Sequence, residues 1–368
     1  MDFGLSDEQQ AVVDLARQIL TDRTTPDRLR ELEAGTDWVD RDLWAELAKA
    51  DLLGLCLPEA HGGAGYGFLE ACLILEAQGR TVAPLPLLGT LVGGLAIGAD
   101  GTDALASRLL PGVAAGTTVL TLALAEPGGD PRRPLAVRAA RDGDGWTLTG
   151  VKTMVPLAHV ADAALVTAAT DDGPGVFVVD LGADGITTER QDTFNHEPTF
   201  VVTFDGVAVP ADDVLGTPGD GATDRLADMA TVGLCAITSG VSESALRITA
   251  EYTTTRKQFE KPIGSFQAVG QRMADAYVDN EAVRLTMLSA ASRIADGIPA
   301  AREVAIAKFW AADGGNRVVH AGLHVHGGIS IDLDYPIHRY FHWAKHMELQ
   351  LGGASVQLER LGDLIAAG

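Results

Sequence analysis

The apolar residues of this 368-residue chain keep helical spacing at both ends and abandon it in between, and that double change of period limits the folds open to it. Ser6-Asp7-Glu8-Gln9 has the form of a capping box, a hydroxyl with a Gln three residues on. Val12, Val13, Leu15, Ala16, Ile19 and Leu20 then follow at the spacing of an amphipathic helix. A second helical segment surrounds Leu43, Trp44 and Leu47. Pro58, Gly62 and Gly63 break the pattern before a third helix from about Phe68 to Gln78. From Thr118 the apolar runs shorten and turn β-branched: 119–124, 136–140, 146–149, 163–167, 176–179 and 200–204, with Asp142-Gly143-Asp144-Gly145 spaced as a hairpin turn. This spacing predicts an antiparallel sheet or small barrel rather than parallel βαβ units. Long Ala-rich helical patterns resume over 225–255, 264–296 and 300–327. The expected fold is α+β: an N-terminal helical domain over 1–116, a middle antiparallel β-barrel-like domain over 117–216 and a C-terminal four-helix bundle over 217–368.

Composition excludes several functions. A formal net charge of −22 argues against nucleic acid as a partner, because phosphate backbones are bound by clustered Lys and Arg that displace counterions. An anionic small ligand stays open wherever the local site supplies positive charge or backbone amides. No apolar stretch stands out at bilayer-spanning length and no basic-then-apolar leader opens the chain, so the expectation is a soluble, cytoplasmic protein with no membrane partner. Cys56, Cys72 and Cys235 are widely spaced, each in an apolar, helix-like context, and read as reduced core thiols.

The chemistry concentrates in the last third. Arg256-Lys-Gln-Phe259 and Pro262-Ile-Gly264 precede the pair Phe266-Gln267; His324, His326-Gly327-Gly328 and Tyr335-Pro336 follow. A guanidinium makes forked, charge-assisted hydrogen bonds to phosphate, an aromatic ring offers a stacking face, and a Gly-Gly pair lets backbone come close to a ligand. Taken singly, each is more ordinary: a helical Arg is usually solvated, a lone Phe is core, and a Gly-Gly pair is a turn. Their order and spacing together carry the signal.

That set resembles the acyl-CoA dehydrogenase family, and the helix–sheet–helix order extends the resemblance over the whole chain. The resemblance implies FAD as cofactor, with Arg256 on the pyrophosphate, Phe259 by the adenine, Gln267 on the nucleotide, Gly327 and Gly328 close to the phosphates, and His324 where the family commonly has a Gln. It also implies that this grip reaches a cofactor whose flavin lies in a neighbouring subunit.

The chain departs from the family elsewhere. For the family's T-E-P-G-x-G-S-D it has Ala125-Glu126-Pro127-Gly128-Gly129-Asp130-Pro131-Arg132, which lacks the hydroxyls and places an Asp and an amide-less Pro where phosphate would be received. For G-x-K-x-W-I-T it has Gly150-Val-Lys152-Thr-Met154-Val155-Pro156, without the Trp and Thr. The family's two positions for a catalytic glutamate fall on Leu351 or Gly352 and near Ala230, none of which can abstract an α-proton. Asp228, Glu348 and Glu359 are the nearby acids. Asp228 is about 200° around a helix from position 230, and the other two sit within helices. The expectation is no catalytic residue in this chain.

A rival constellation is His320, His324 and His326 with His338, His342 and His346, whose i,i+4 spacing can place imidazoles on one helical face as metal ligands. The HExxH signature is absent, no Cys is near, and residues 338–346 span about two turns. No metal is expected. Keeping the reaching grip while losing the receiving contacts and the base resembles the base-less subunit of heteromeric actinobacterial steroid side-chain acyl-CoA dehydrogenases. That resemblance implies a homologous glutamate-bearing partner subunit, a bulky acyl-CoA substrate and an electron-transfer acceptor. The alternatives are a self-sufficient homotetramer with an unrecognised base and a non-catalytic scaffold of the same fold.

Overall fold

The computed structural model describes residues 4–128 and 134–367 and forms two compact units. One comprises Met1–Ala34, Cys72–Ala83 and Thr231–Gly368; the other comprises Gly35–Ala71 and Pro84–Ala230. Six helices come first: α1 (Asp7–Arg23), α2 (Pro26–Ala34), α3 (Arg41–Lys49), α4 (Phe68–Thr81), α5 (Leu87–Asp100) and α6 (Asp103–Ala114). The capping box expected at the start of α1 is formed: Gln9 N–H donates to Ser6 Oγ at 3.2 Å and Ser6 N–H to Gln9 Oε1 at 3.0 Å. Val13, Ala16 and Leu20 are buried, as the helical spacing predicts, while Leu15 faces out.

The middle of the chain supplies β1 (Leu120–Ala123), β2 (Arg138–Asp142), β3 (Gly145–Pro156), β4 (Ala163–Thr170), β5 (Gly173–Asp180), β6 (Ile186–Gln191), β7 (Thr199–Val209) and β8 (Val214–Leu215). They form one sheet in the order β6-β7-β3-β2-β4-β5-β8, with β1 parallel to β4. The β2–β3 hairpin turns where the sequence places it, with Asp142 opposite Gly145. Most pairings are antiparallel, but the sheet is open, because β6 and β8 end the order without pairing each other. Its core is apolar, with Trp146 edge-on to Phe177 at 5.4 Å and Leu148, Val166, Val179, Val202 and Phe204 around them.

The other unit is built on long helices: α7 (Ala222–Thr255), which belongs to it from Thr231 onward, α8 (Gln267–Ala295) and α9 (Ala301–His326). The fourth member of the bundle is broken into α10 (Ile337–Leu349) and α11 (Ala354–Ala366). Glycine sets the approach of α4 to α7: a Cβ on Gly79 would lie 2.0 Å from Ile237 O, and one on Gly240 would lie 1.9 Å from Glu76 O. Glu76, 1% exposed, accepts from Ser239 Oγ at 2.7 Å and Arg284 Nε at 3.0 Å, so this buried charge is both paired and hydrogen-bonded. Against the sequence expectation, α7 is long and apolar enough by length and composition to cross a membrane, and most of its apolar window is buried within the protein. The three cysteines are buried and unbridged; Cys56 sits in the turn after α3 rather than in a helix.

Candidate functional site

The residues singled out in the last third converge where α7 and α9 end and α8 begins. Arg256 follows the last turn of α7, its N–H bonded to Tyr252 O at 2.9 Å. The chain then makes a minimal hairpin, β9 (Lys257–Gln258) and β10 (Lys261–Pro262), with Phe259 and Glu260 as its two loop residues. Both are left-handed, at φ 52° and 64°, the pattern of a type I′ turn that favours Asn and Gly. This turn raises Phe259 to 87% exposure, with Phe266 edge-on at 6.3 Å beneath it. Gln267 is the exposed first residue of α8.

The end of α9 is tied to the end of α7. His326 is buried; its ring stacks on Tyr252 at 4.4 Å, its Nδ1 lies 2.8 Å from Gly322 O and its Nε2 lies 3.0 Å from Tyr335 Oη. A carbonyl only accepts, so Nδ1 carries the proton, and Nε2 accepts from the tyrosine when the imidazole is neutral. Burial lowers its pKa in the same sense. Directly after it, Gly327 has φ 63° and ψ −136°, a conformation closed to other residues. Cβ atoms added at Gly327 or Gly328 would meet nothing within 4 Å. His324 is exposed and its Nδ1 is held by Arg272 of α8.

Charge at this end runs against the chain's acidic total. Arg256, Lys257 and Lys261 are exposed and their side chains have no hydrogen bond or ion pair among the described residues. Three unpaired cations, bare glycine backbone and an exposed aromatic ring suit an anionic ligand with an aromatic base. Tyr252 and Arg272, which brace the site, were not evident in the sequence. Tyr252 lies about one helical turn before Arg256, and that spacing was the available signal; Arg272, five residues after Gln267, had none.

His338 and His342 meet edge-on at 5.8 Å, but the other histidines are engaged elsewhere. His338 Nδ1 lies 2.7 Å from Tyr335 O, His346 contacts Gln350, and His320 packs edge-on to Phe341. Among the described residues no group of three or more His, Cys, Asp or Glu side chains could hold a metal ion.

The α10–α11 junction carries two consecutive left-handed residues, Leu351 at φ 51° and Gly352 at φ 91°. A Cβ on Gly352 would lie 2.8 Å from Val356 Cγ1 and 3.1 Å from Gln357 Nε2. Glu348 is occupied by Lys345 at 2.7 Å. Asp228 is half-buried and engaged, and Ala230 is 1% exposed within α7. In the sheet-bearing unit, Lys152 is wholly buried; its ammonium donates to Glu126 Oε1 at 2.7 Å and Thr167 Oγ1 at 2.9 Å. Burial drives its pKa down to about 8 against the pull of Glu126.

Comparison with known proteins decides the family. Three domain models match in order: the acyl-CoA dehydrogenase N-terminal domain at residues 6–117, the middle domain at 121–207 and the C-terminal domain at 222–365. FadE27, an acyl-CoA dehydrogenase of Mycobacterium tuberculosis, is 40% identical over 100% of this chain and 99% of its own length. The chain belongs to the acyl-CoA dehydrogenase family. These proteins are oxidoreductases. FadE28 of the same organism is 35% identical over 98% of both chains. Among solved structures, the ChsE4–ChsE5 complex from Mycobacterium tuberculosis matches with a TM-score of 0.94, 40% identity and full coverage of both chains. A point variant of the steroid acyl-CoA dehydrogenase Tcur3481–Tcur3483 matches with a TM-score of 0.94, 46% identity and 98% coverage of both chains.

Two departures from family motifs can be located. Met154 stands on β3 at φ 52°, part-exposed, where the motif has Trp; Pro156 stands where it has Thr and cannot donate an amide. Of the other stretch, Ala125–Gly128 are described, whereas Gly129, Asp130, Pro131 and Arg132 lie outside the described residues.

Proposed function

We propose that this chain is the base-less subunit of a heteromeric, FAD-dependent acyl-CoA dehydrogenase, acting with a homologous, glutamate-bearing partner subunit on a bulky acyl-CoA such as a steroid side-chain thioester. The observation that carries this reading is the α10–α11 junction. Leu351 has no proton-accepting group, and at Gly352 a side chain would be strained at φ 91° and its Cβ would lie 2.8 Å from Val356 Cγ1. The neighbouring acid Glu348 is ion-paired with Lys345 at 2.7 Å. The steroid assignment rests on similarity to the steroid enzyme Tcur3481–Tcur3483, and the heteromer on that pair and the ChsE4–ChsE5 complex.

The residues at the end of the bundle fit FAD. Arg256 is the unpaired guanidinium for a pyrophosphate, Phe259 the exposed ring for the adenine, and Gln267 an exposed amide for the nucleotide. Gly327 and Gly328 leave open the space that side chains would fill, and His324, fixed by Arg272, orients an imidazole beside them. Bound FAD would supply hydride acceptance from the substrate's β-carbon. This chain's residues bind and orient; the α-proton goes to the partner's glutamate, and an electron-transfer protein then reoxidises the complex. The complex is cytoplasmic in this reading.

The test is flavin absorbance per complex after co-expression with a glutamate-bearing homologue. Arg256→Ala should lower flavin retention at least about tenfold, the worth of a charge-assisted phosphate contact. Unchanged flavin content refutes the assignment. So does a chain that, purified alone, is fully flavinated and bleached by acyl-CoA.

A further inference from the structure

An imidazole can offer a ligand a donor, an acceptor or a cation, and what occupies its other nitrogen decides which. His324 stands exposed in the last turn of α9, three residues before Gly327. Its Nδ1 meets Nη1 of Arg272, which stands in the second turn of α8. A guanidinium has five donors and no acceptor. Nδ1 must therefore accept, and in a ring with one bare nitrogen the single proton sits on Nε2. That nitrogen makes no hydrogen bond among the described residues, so the ring carries an unsatisfied N–H. Asp275 lies three residues beyond Arg272 along α8, a spacing at which a helix pairs opposite charges. The histidine is nevertheless the one partner of the Arg272 side chain among the described residues. The carbonyl end of a helix favours a nearby cation, and the guanidinium supplies that charge while the imidazole stays neutral.

We infer that Arg272 is a positioning residue: it holds the His324 ring in one orientation with its proton on Nε2, so that the imidazole presents one neutral N–H donor to a phosphate oxygen of the proposed cofactor. The hold on the ring stands on the contact itself; the phosphate as its target rests on the proposed function. A glutamine, common at this position in the family, carries donor hydrogens in every state, whereas an imidazole's donor depends on which nitrogen holds the proton. The contact with Arg272 removes that dependence. It also removes, before any ligand arrives, the rotamer freedom that an exposed side chain would otherwise lose on binding. Cβ atoms added at Gly327 and Gly328 meet nothing within 4 Å, so the same helix end is open to a ligand.

The experiment compares wild type, Arg272→Ala and Arg272→Lys in the co-expressed complex, each also in a His324→Ala background, by flavin absorbance per complex after dilution and re-isolation. Both side chains are exposed, so neither substitution opens the core. The second readout is solid-state nitrogen-15 NMR of the same complex with this chain labelled at histidine, the His324 signals being those lost in His324→Ala. The expected result is a wild-type His324 ring with bare Nδ1 and protonated Nε2, and mixed tautomers in Arg272→Ala. Arg272→Lys should restore the single tautomer, because an ammonium also donates without accepting. Flavin retention should fall about two- to tenfold in Arg272→Ala, the worth of one pre-ordered side chain. In the His324→Ala background the same substitution should change nothing. A proton on Nδ1 in wild type, or a ring insensitive to Arg272→Ala, overturns the hold. Equal flavin loss in both backgrounds would mean that Arg272 meets the phosphate itself and overturns the positioning role, as does no loss in either. Failure of the proposed function would appear separately, as wild-type complex that holds no flavin while the His324 signals still report the single tautomer.

Discussion

Glu260→Gly should stabilise the protein while leaving its proposed cofactor grip intact. Glu260 is the second loop residue of the β9–β10 hairpin at φ 64°. An L-residue with a side chain pays about 1–2 kcal/mol to stand in the left-handed region, and glycine is free of that cost. Glycine in turn loses more freedom on folding, which costs roughly 0.5–1 kcal/mol. The difference favours the variant by about 0.5–1 kcal/mol. No ion pair offsets it, because Glu260 is exposed and has no charged partner among the described residues. Removing a negative charge between Lys257 and Lys261 also raises the local positive potential. Flavin retention should therefore hold or improve. The assay is urea denaturation followed by far-ultraviolet circular dichroism, with flavin absorbance per complex as the second readout. A midpoint that stays or falls refutes the strain argument. Phe259→Gly is the paired control: it relieves the same strain at φ 52° but removes the exposed ring, so stability should rise as flavin retention falls.

Two further outcomes follow from buried charge. Lys152→Met leaves Glu126 with two backbone donors, Ala136 N–H at 2.6 Å and Val137 N–H at 3.1 Å, but no cation; the expected cost is about 3–5 kcal/mol, and adding Glu126→Gln should recover most of it. Equal denaturation midpoints for the single and double variants would refute a charge-based cost. Stability should also depend on alkaline pH with a computable sign. Burial lowers Lys152 and Lys308 to about 8, so above that pH the folded lysines are neutral while the unfolded ones stay protonated, and stability rises with pH. Burial raises Cys56 and Cys235 to about 12, so above the ordinary thiol pKa the unfolded state loses protons first, and stability falls with pH. Each group contributes at most about 1.4 kcal/mol per pH unit. These four groups therefore predict a rise from about pH 8 to 9, a plateau while both kinds titrate, and a decline above about pH 10.5. Denaturation midpoints that fall steadily from pH 8 would contradict the lysine contribution.

What could be read from the sequence divides along a physical line. Elements stabilised by their own periodicity were legible: the capping box at Ser6, the hairpin at Asp142, the three long helices of the bundle. Strand β6 was not, because Ile186–Gln191 is an edge strand with mostly exposed residues and no alternation to detect. The β9–β10 turn was hidden for the opposite reason. Its loop residues are Phe and Glu where the conformation asks for Asn and Gly, so local propensity points away from the structure. The break between α10 and α11 was expected as a loop at Leu351 or Gly352 between helices bearing Glu348 and Glu359; hidden was its hold by Lys308 and Gln357, which are 49 positions apart in sequence.

The β9–β10 turn and the hold on the α10–α11 junction, both hidden in the sequence, also bear on the proposed function, and the coincidence has a cause. A site must hold backbone in conformations that the local sequence would not choose, because a conformation chosen locally is available to any chain and selects nothing. At the hairpin, strain at two residues sets an exposed ring above a trio of cations unpaired among the described residues. At the junction, two left-handed residues are fixed by an ammonium and an amide drawn from outside the loop. In both, the surrounding structure overrules propensity, and the cost of overruling it is the measurable quantity. Relieving strain at Glu260 should stabilise because the ring's own residue still sets the turn, whereas releasing the junction by Gln357→Leu should loosen it because the Leu351 and Gly352 carbonyls lose the side-chain donor that holds them. Opposite signs from two strained loops would separate strain that the structure tolerates from strain that it requires.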